Sequence, residues 1–145
     1  IFQMNHIQYD GHPKWSHELR LLAMRPITSR VYPMCKVNGV QFICDHRDVR
    51  RKTQNSGVMV HGGRNGIDYY GVLHSVVELI YGEGMTVHLF KCRWYDTKPE
   101  NTKTDHHGIF SVNTATSCYE DDPFVFATAV KQVVYLDDLV HKDAW

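Results

Sequence analysis

A two-residue turn, Asn38-Gly39, lies between the runs VYPMCKV and VQFICD, and it restricts the fold of this chain more than any other feature. A type I′ turn needs φ > 0 at both central positions, which Asn and Gly tolerate, so the pair commits its flanks to an antiparallel hairpin. The two-residue loop also sets the register, with Val37 opposite Val40 and Cys35 opposite Phe42. Cys44 then falls on the same face, diagonal to Cys35. Two thiols among such apolar neighbours read as small core residues rather than as ligands.

The remaining segments follow the same β grammar. Residues 1–15 have no steady period and hold His6, His12, Pro13 and Trp15, which marks them as an arm or linker; residues 16–145 read as a single β domain. Ser16 is placed to cap a short helix, HELRLLAM, with Leu19, Leu22 and Ala23 on one face and Pro26 as its stop. After the hairpin comes the polar, basic loop HRDVRRKTQNSG, then a short strand VMVH and a GGRNG turn. IDYYGVLHSVVELIYG fits a helical face at Leu73, Val76, Val77 and Ile80, but its β-branched and aromatic content and its flanking turns favour a long strand bent near Gly71. MTVHLFKCRWYD alternates cleanly, with His88, Phe90, Cys92 and Trp94 on one face and Val87, Leu89, Lys91, Arg93 and Tyr95 on the other. TKPENTKTDHHG and TATSCYEDDP read as loops around a short strand, GIFSVN, and FVFATAV and KQVVYLDD close the chain as strand or turn. Seven short strands at this spacing predict a mainly β fold, either a small barrel or a strongly bent antiparallel sheet with a short N-terminal helix.

Composition narrows the function classes. A chain of 145 residues with 43% hydrophobic content suits one domain with a real core. No apolar run approaches the ~18 residues of a membrane helix, and IFQMNHIQYD resembles no signal peptide, so a soluble intracellular domain without a membrane partner is expected. Cys35, Cys44, Cys92 and Cys118 form neither a C-x-x-C pair nor a zinc-type spacing, which favours a reducing compartment over disulfides. The 16 basic and 16 acidic residues cancel, yet they are unevenly placed. Nine basic residues face two acidic ones between Arg20 and Arg64, a local balance of +7, whereas Ser111–Trp145 carries −4. The expected molecule is dipolar.

Several constellations invite chemistry, and most have a plainer reading. Neither G-x-S-x-G nor a phosphate-binding P-loop is present, and His61-Gly62-Gly63 lacks a nucleophile elbow, so no catalytic residue is assigned. His106-His107 beside Asp105 reads as a solvated loop, because neighbours on extended chain point apart. Glu120-Asp121-Asp122 reads as an acidic turn before Pro123. No metal, cofactor or small-molecule substrate is expected. Arg47, Arg50, Arg51 and Lys52, running into Thr53-Gln54-Asn55-Ser56-Gly57, supply what phosphate contact uses: charge for affinity and polar groups for register. Arg64, Lys91 and Arg93 are assigned to the same candidate nucleic-acid surface. Tyr69, Tyr70, Trp94, Tyr95 and Phe110, at strand ends, form the competing candidate, a peptide site acting through cation–π attraction.

ELRLLAMRP, the hairpin centred on VNGVQF, RKTQNSGVMV, YYGVLHSVVELIYG, VHLFKCRWYD, GIFSVN, DPFVFATAVKQVVYLDD and the closing Trp145 occur in an order that resembles a plant domain of unknown function. That domain lies C-terminal to the transposase core of CACTA (En/Spm) DNA transposons. The resemblance runs from about Glu18 to Trp145. It departs at Val40-Gln41-Phe42, where a Gly-aromatic pair is expected, and at His106-His107-Gly108. The resemblance implies a plant source, a nuclear setting and a transposon-encoded or transposon-derived protein. It implies no catalytic residue, since the family has none established. The order of elements after Tyr69 is also similar to that of BAH domains, which implies an SH3-like barrel.

The expectation is therefore a non-catalytic accessory domain that binds DNA or chromatin. The alternative is a protein-interaction module for the transposase core or a histone tail.

Overall fold

The computed structural model describes residues 16–50, 52–62 and 66–136. The fold is mainly β, with antiparallel sheets and few helices. Its frame is a ribbon of two long strands, β5 (Tyr69–Ile80) and β6 (Thr86–Tyr95), joined by a tight turn at Gly82–Gly84. The stretch that fitted both helix and strand is thus strand. The β-branched side chains that crowd a helix sit comfortably on a pleated surface.

Short strands line both edges of this ribbon. On the outer edge of β5, β4 (Gly57–Val60) pairs with residues 69–72, and β1 (Thr28–Tyr32) pairs with residues 76–80. The change of partner coincides with a β-bulge: Leu73 faces Cys92 and Ser75 faces Lys91, which leaves His74 as the extra residue. The irregularity therefore lies at His74 rather than at the expected Gly71, because a bulge lets one strand serve two differently directed neighbours. On the outer edge of β6, β10 (Phe124–Phe126) pairs with residues 89–91 and β9 (Ser117–Cys118) with residues 94–95. A last strand, β11 (Lys131–Gln132), extends the sheet beyond β4. The path ends at β10 on one side and β11 on the other, and no closed barrel is found among the described residues.

The Asn38-Gly39 hairpin forms as its turn dictates. Asn38 and Gly39 adopt φ of 49° and 84°, and β2 (Met34–Val37) pairs with β3 (Val40–Ile43) with Cys35 opposite Phe42 and Val37 opposite Val40. This hairpin lays Phe42 on the sheet, its ring edge-on to Phe90 at 5.0 Å. Phe42, Cys44, Val58, Leu73, Val76, Phe90, Cys92, Trp94 and Ala127 form the main core. Alternation sends Val72 and Tyr95 to the opposite sheet face, where they meet Val112, Tyr70 and Tyr135 in a second cluster.

Three local expectations are corrected. The first loop after β6 contains a hairpin, β7 (Thr102–Thr104) with β8 (Phe110–Val112), and Asp105 Oδ1 caps its turn by accepting from the N–H groups of His107 and Ile109 at 2.9 and 2.8 Å. The second supplies β9, because the short run Ser117–Cys118 finds an open edge on β6. The helix α1 (His17–Ala23) forms with Ser16 as its cap, but Leu19 and Leu22 stay exposed and no residue of it is buried. Contact with the ribbon instead runs through Leu21, next to Gly82, and through His17, whose Nε2 lies 2.6 Å from Glu83 Oε2. The arm at residues 1–15 lies outside the described residues.

Candidate nucleic-acid interface

The basic loop opens with one turn of helix, α2 (Asp45–Asp48), in which the N–H groups of Arg47 and Asp48 donate to the Cys44 carbonyl. Asp48 anchors the rest of the loop. Its side chain is 5% exposed, and Oδ2 accepts from the N–H groups of Asn55 at 2.7 Å and Ser56 at 2.8 Å, while Oδ1 is buried without a partner among the described residues. Further bonds secure the same block. Gln54 Oε1 accepts from the Tyr135 N–H at 2.9 Å, and the Gln132 side chain donates to the carbonyls of Asn55 and Gln41. Asn55 turns its own amide back on Thr53. Residues 54–56, expected to help contact phosphate, are tied by hydrogen bonds to Asp48, Gln132 and Tyr135, although Thr53 and Gln54 stay exposed, and Arg47, Arg50 and Lys52 are exposed beside them.

Arg47 and Arg50 line a cleft of about 370 Å³ with Met34, Ile43 and His46. Lys52 is exposed nearby in sequence. No carboxylate pairs with Arg47, Arg50 or Lys52 among the described residues. Arg51 and Arg64 lie outside the described residues.

Lys91 and Arg93, alternate residues on one face of β6, line a second cleft of about 270 Å³ together with His74, Ser117, Cys118 and Glu120. One carboxylate stands near a histidine of each cleft. His46 in the first and His74 in the second both place Nδ1 at 3.6 Å from Asp45 Oδ1. The bulge brings this about, since His74 is the residue that β5 carries in excess of its partner. Arg93 also lies over the Tyr95 ring, its guanidinium carbon 5.6 Å from the centroid, which holds the arginine against the sheet.

The aromatic candidates do not form one cage. Trp94 and Tyr69 belong to the main core, whereas Tyr70 and Tyr95 pack in the second cluster. Trp94 and Tyr95 are buried; Tyr70 is half-buried with its ring 5.2 Å from exposed Phe110, and Tyr69 meets Tyr119 edge-on.

Burial pushes the thiols of Cys35 and Cys44 up to about 11, with Asp45 adding to the effect on Cys44, and burial also raises Cys92 and Cys118. These sulfurs are protonated at neutral pH and poor nucleophiles. Among the described residues no group of three or more His, Cys, Asp or Glu side chains is arranged to hold a metal ion, and no helix is long and apolar enough to cross a membrane.

Sequence reasoning did not single out Asp45, His46, His74 or Asp48. No local pattern marks them, because their roles depend on the bulge in β5 and on a loop folding back over α2.

Residues 77–145 match the model of a family described as "Domain of unknown function (DUF4216)". The matched stretch starts within β5 and contains Lys91 and Arg93, but not the Arg47–Lys52 loop. No curated protein and no solved structure matches the chain.

Proposed function

We propose that this chain is a non-catalytic accessory domain that binds nucleic acid, free or in chromatin, through Arg47, Arg50, Lys52, Lys91 and Arg93. The observation that carries the reading is a pair of cation-lined clefts, each contributing a histidine whose Nδ1 lies 3.6 Å from the Asp45 carboxylate. A surface of this kind suits a phosphate backbone: cations that pair with no carboxylate among the described residues supply affinity, and an internally bonded loop holds those of Arg47–Lys52 in register. Arg51 and Arg64 belong to the same proposed set on sequence grounds.

The finer setting is also a proposal. Its support is the run of motifs resembling the CACTA transposon-associated domain, and it comprises a plant, transposon-encoded or transposon-derived protein acting in the nucleus, beside its transposase core. The bent β5–β6 ribbon with short edge strands is compatible with an SH3-like or BAH-like barrel. Recognition of a histone tail or other peptide is the weaker reading, because only Tyr70 and Phe110 of the aromatic set make a surface pair.

The test is a salt titration of binding to a short duplex and to a single strand. With five to seven cations on phosphates, log K falls against log salt with a slope of about −4 to −6 on duplex DNA, and replacing two of them removes about 2 from that slope. Arg47→Ala with Arg50→Ala is expected to weaken binding about equally across sequences and to flatten the slope by that amount. Absence of binding to either nucleic acid at low salt, or an unchanged slope in the double variant, overturns the reading.

A further inference from the structure

Away from both clefts, at the free end of β4, three side chains line up. Lys131 pairs across β11–β4 with Met59, which puts it diagonal to His61, two positions further on. Lys131 Nζ lies 2.8 Å from His61 Nε2, and His61 Nδ1 lies 3.0 Å from Asp68 Oδ1. Asp68 also accepts from the Gly62 N–H at 3.4 Å.

The proton count in this row is constrained. An ammonium is a donor only, and an imidazolium donates from both nitrogens, so the 2.8 Å contact needs a lone pair on one side. Asp68 is a carboxylate, held below its ordinary range by the hydrogen bond from His61 and then by the Gly62 N–H. It fixes the proton on His61 Nδ1 and leaves Nε2 facing the lysine. A free amine at Lys131 can donate an N–H to the Nε2 lone pair and so meets an electrophile with its base already in place, while the carboxylate behind the ring stabilises the imidazolium that forms. Lys131 and His61 are both exposed, so an electrophile can reach the amine.

We infer that Lys131 is an acylation site with His61 as its positioned base and an acyl thioester as its substrate. The Nζ lone pair attacks the thioester carbonyl; the C–N bond forms, the C–S bond breaks and thiolate leaves. The surplus proton of the amine passes to His61 Nε2 and from there to the thiolate or to water. The product is a neutral amide at Lys131. No oxidant, reductant or further reactant is needed.

The experiment incubates the native chain with acetyl-coenzyme A and follows the occupancy of each lysine by peptide mass spectrometry over time. Positioned base catalysis contributes about 10²–10⁴-fold where it is fully developed, so Lys131 is expected to react at least about tenfold faster than Lys36, Lys98 and Lys103. His61→Ala should bring Lys131 down to their rate, and added imidazole should restore part of the difference, a rescue that a merely structural histidine would not show. Asp68→Asn should slow Lys131 without changing the other lysines. Far-ultraviolet circular dichroism confirms that each variant is folded. A native Lys131 that reacts no faster than the other lysines, or one that stays fast in His61→Ala, overturns the inference.

Discussion

Asp48 offers the most direct access to how the basic loop is held. Its carboxylate takes two backbone N–H donors at 2.7 and 2.8 Å and is 5% exposed, so Asp48→Ala strips both donors of their partner in a place water reaches poorly. Hydrogen bonds to a charged group are worth about 1.5–3 kcal/mol each, so the gross loss is about 3–6 kcal/mol. Against this stands Oδ1, buried without a partner among the described residues, whose removal returns about 1–3 kcal/mol. The expected net destabilisation is about 2–3 kcal/mol. With a urea m-value of about 1–3 kcal/mol/M for a chain this size, the midpoint should fall by about 1–2 M at unchanged m. Asp48→Asn keeps one acceptor oxygen but puts an amide nitrogen where Oδ1 has nothing to bond, so an intermediate loss of about 1–2 kcal/mol is expected. The assay is urea unfolding followed by tryptophan fluorescence. An Asp48→Ala midpoint within about 0.3 M of the native chain would refute the view that this carboxylate anchors the loop.

Two further outcomes test the frame and its edge. A Cβ at Gly71 would overlap the Arg93 carbonyl oxygen and come to 3.0 Å from Trp94 Cε3, so Gly71→Ala should cost about 1–3 kcal/mol; an unchanged thermal midpoint would show that the two long strands are not tightly apposed there. For Asp68 the sign follows from the direction of its shift. Its folded-state value is lowered by His61, so the contribution to stability is present above the unfolded-chain value of about 4 and is lost as pH falls through the folded value. In His61→Ala the Asp68 carboxyl should titrate at higher pH in a carbon-detected NMR titration, and an unmoved midpoint would mean that the 3.0 Å contact is not formed in solution.

The fold was legible wherever a local rule had no competitor. Asn38-Gly39 fixed its hairpin and register because few other conformations satisfy φ > 0 twice in succession. The long strand over 69–80 was readable because β-branched content outweighed an accidental helical spacing. Short edge strands were less so: Lys131–Gln132 fits the strand-or-turn reading of its segment, but Ser117–Cys118 reads as loop and becomes a strand because β6 leaves an edge open to it. The faces of α1 misled for a related reason. With two turns to offer and no buried residue, the helix is placed by Ser16, Leu21 and His17 rather than by an apolar stripe.

The proposed interface was legible as charge but not as geometry. The sequence shows the cations of the Arg47–Lys52 loop and those of β6; it does not show that His74, the bulge residue, lines the cleft of Lys91 and Arg93 and lies 3.6 Å from Asp45. The expected separation of a basic half from an acidic end is also partly undone by folding. β9 pairs with the end of β6 and carries Glu120 into the cleft lined by Lys91 and Arg93. Two carboxylates therefore lie close to the proposed surface, Asp45 beside a histidine of each cleft and Glu120 inside one of them. Each lowers the local potential, which weakens the attraction of the surface for a polyanion. On that balance, Glu120→Gln should strengthen binding to duplex DNA at a given salt concentration, whereas the Arg47 and Arg50 substitutions weaken it; equal affinity in Glu120→Gln would mean that the β6 cleft takes no part in the contact.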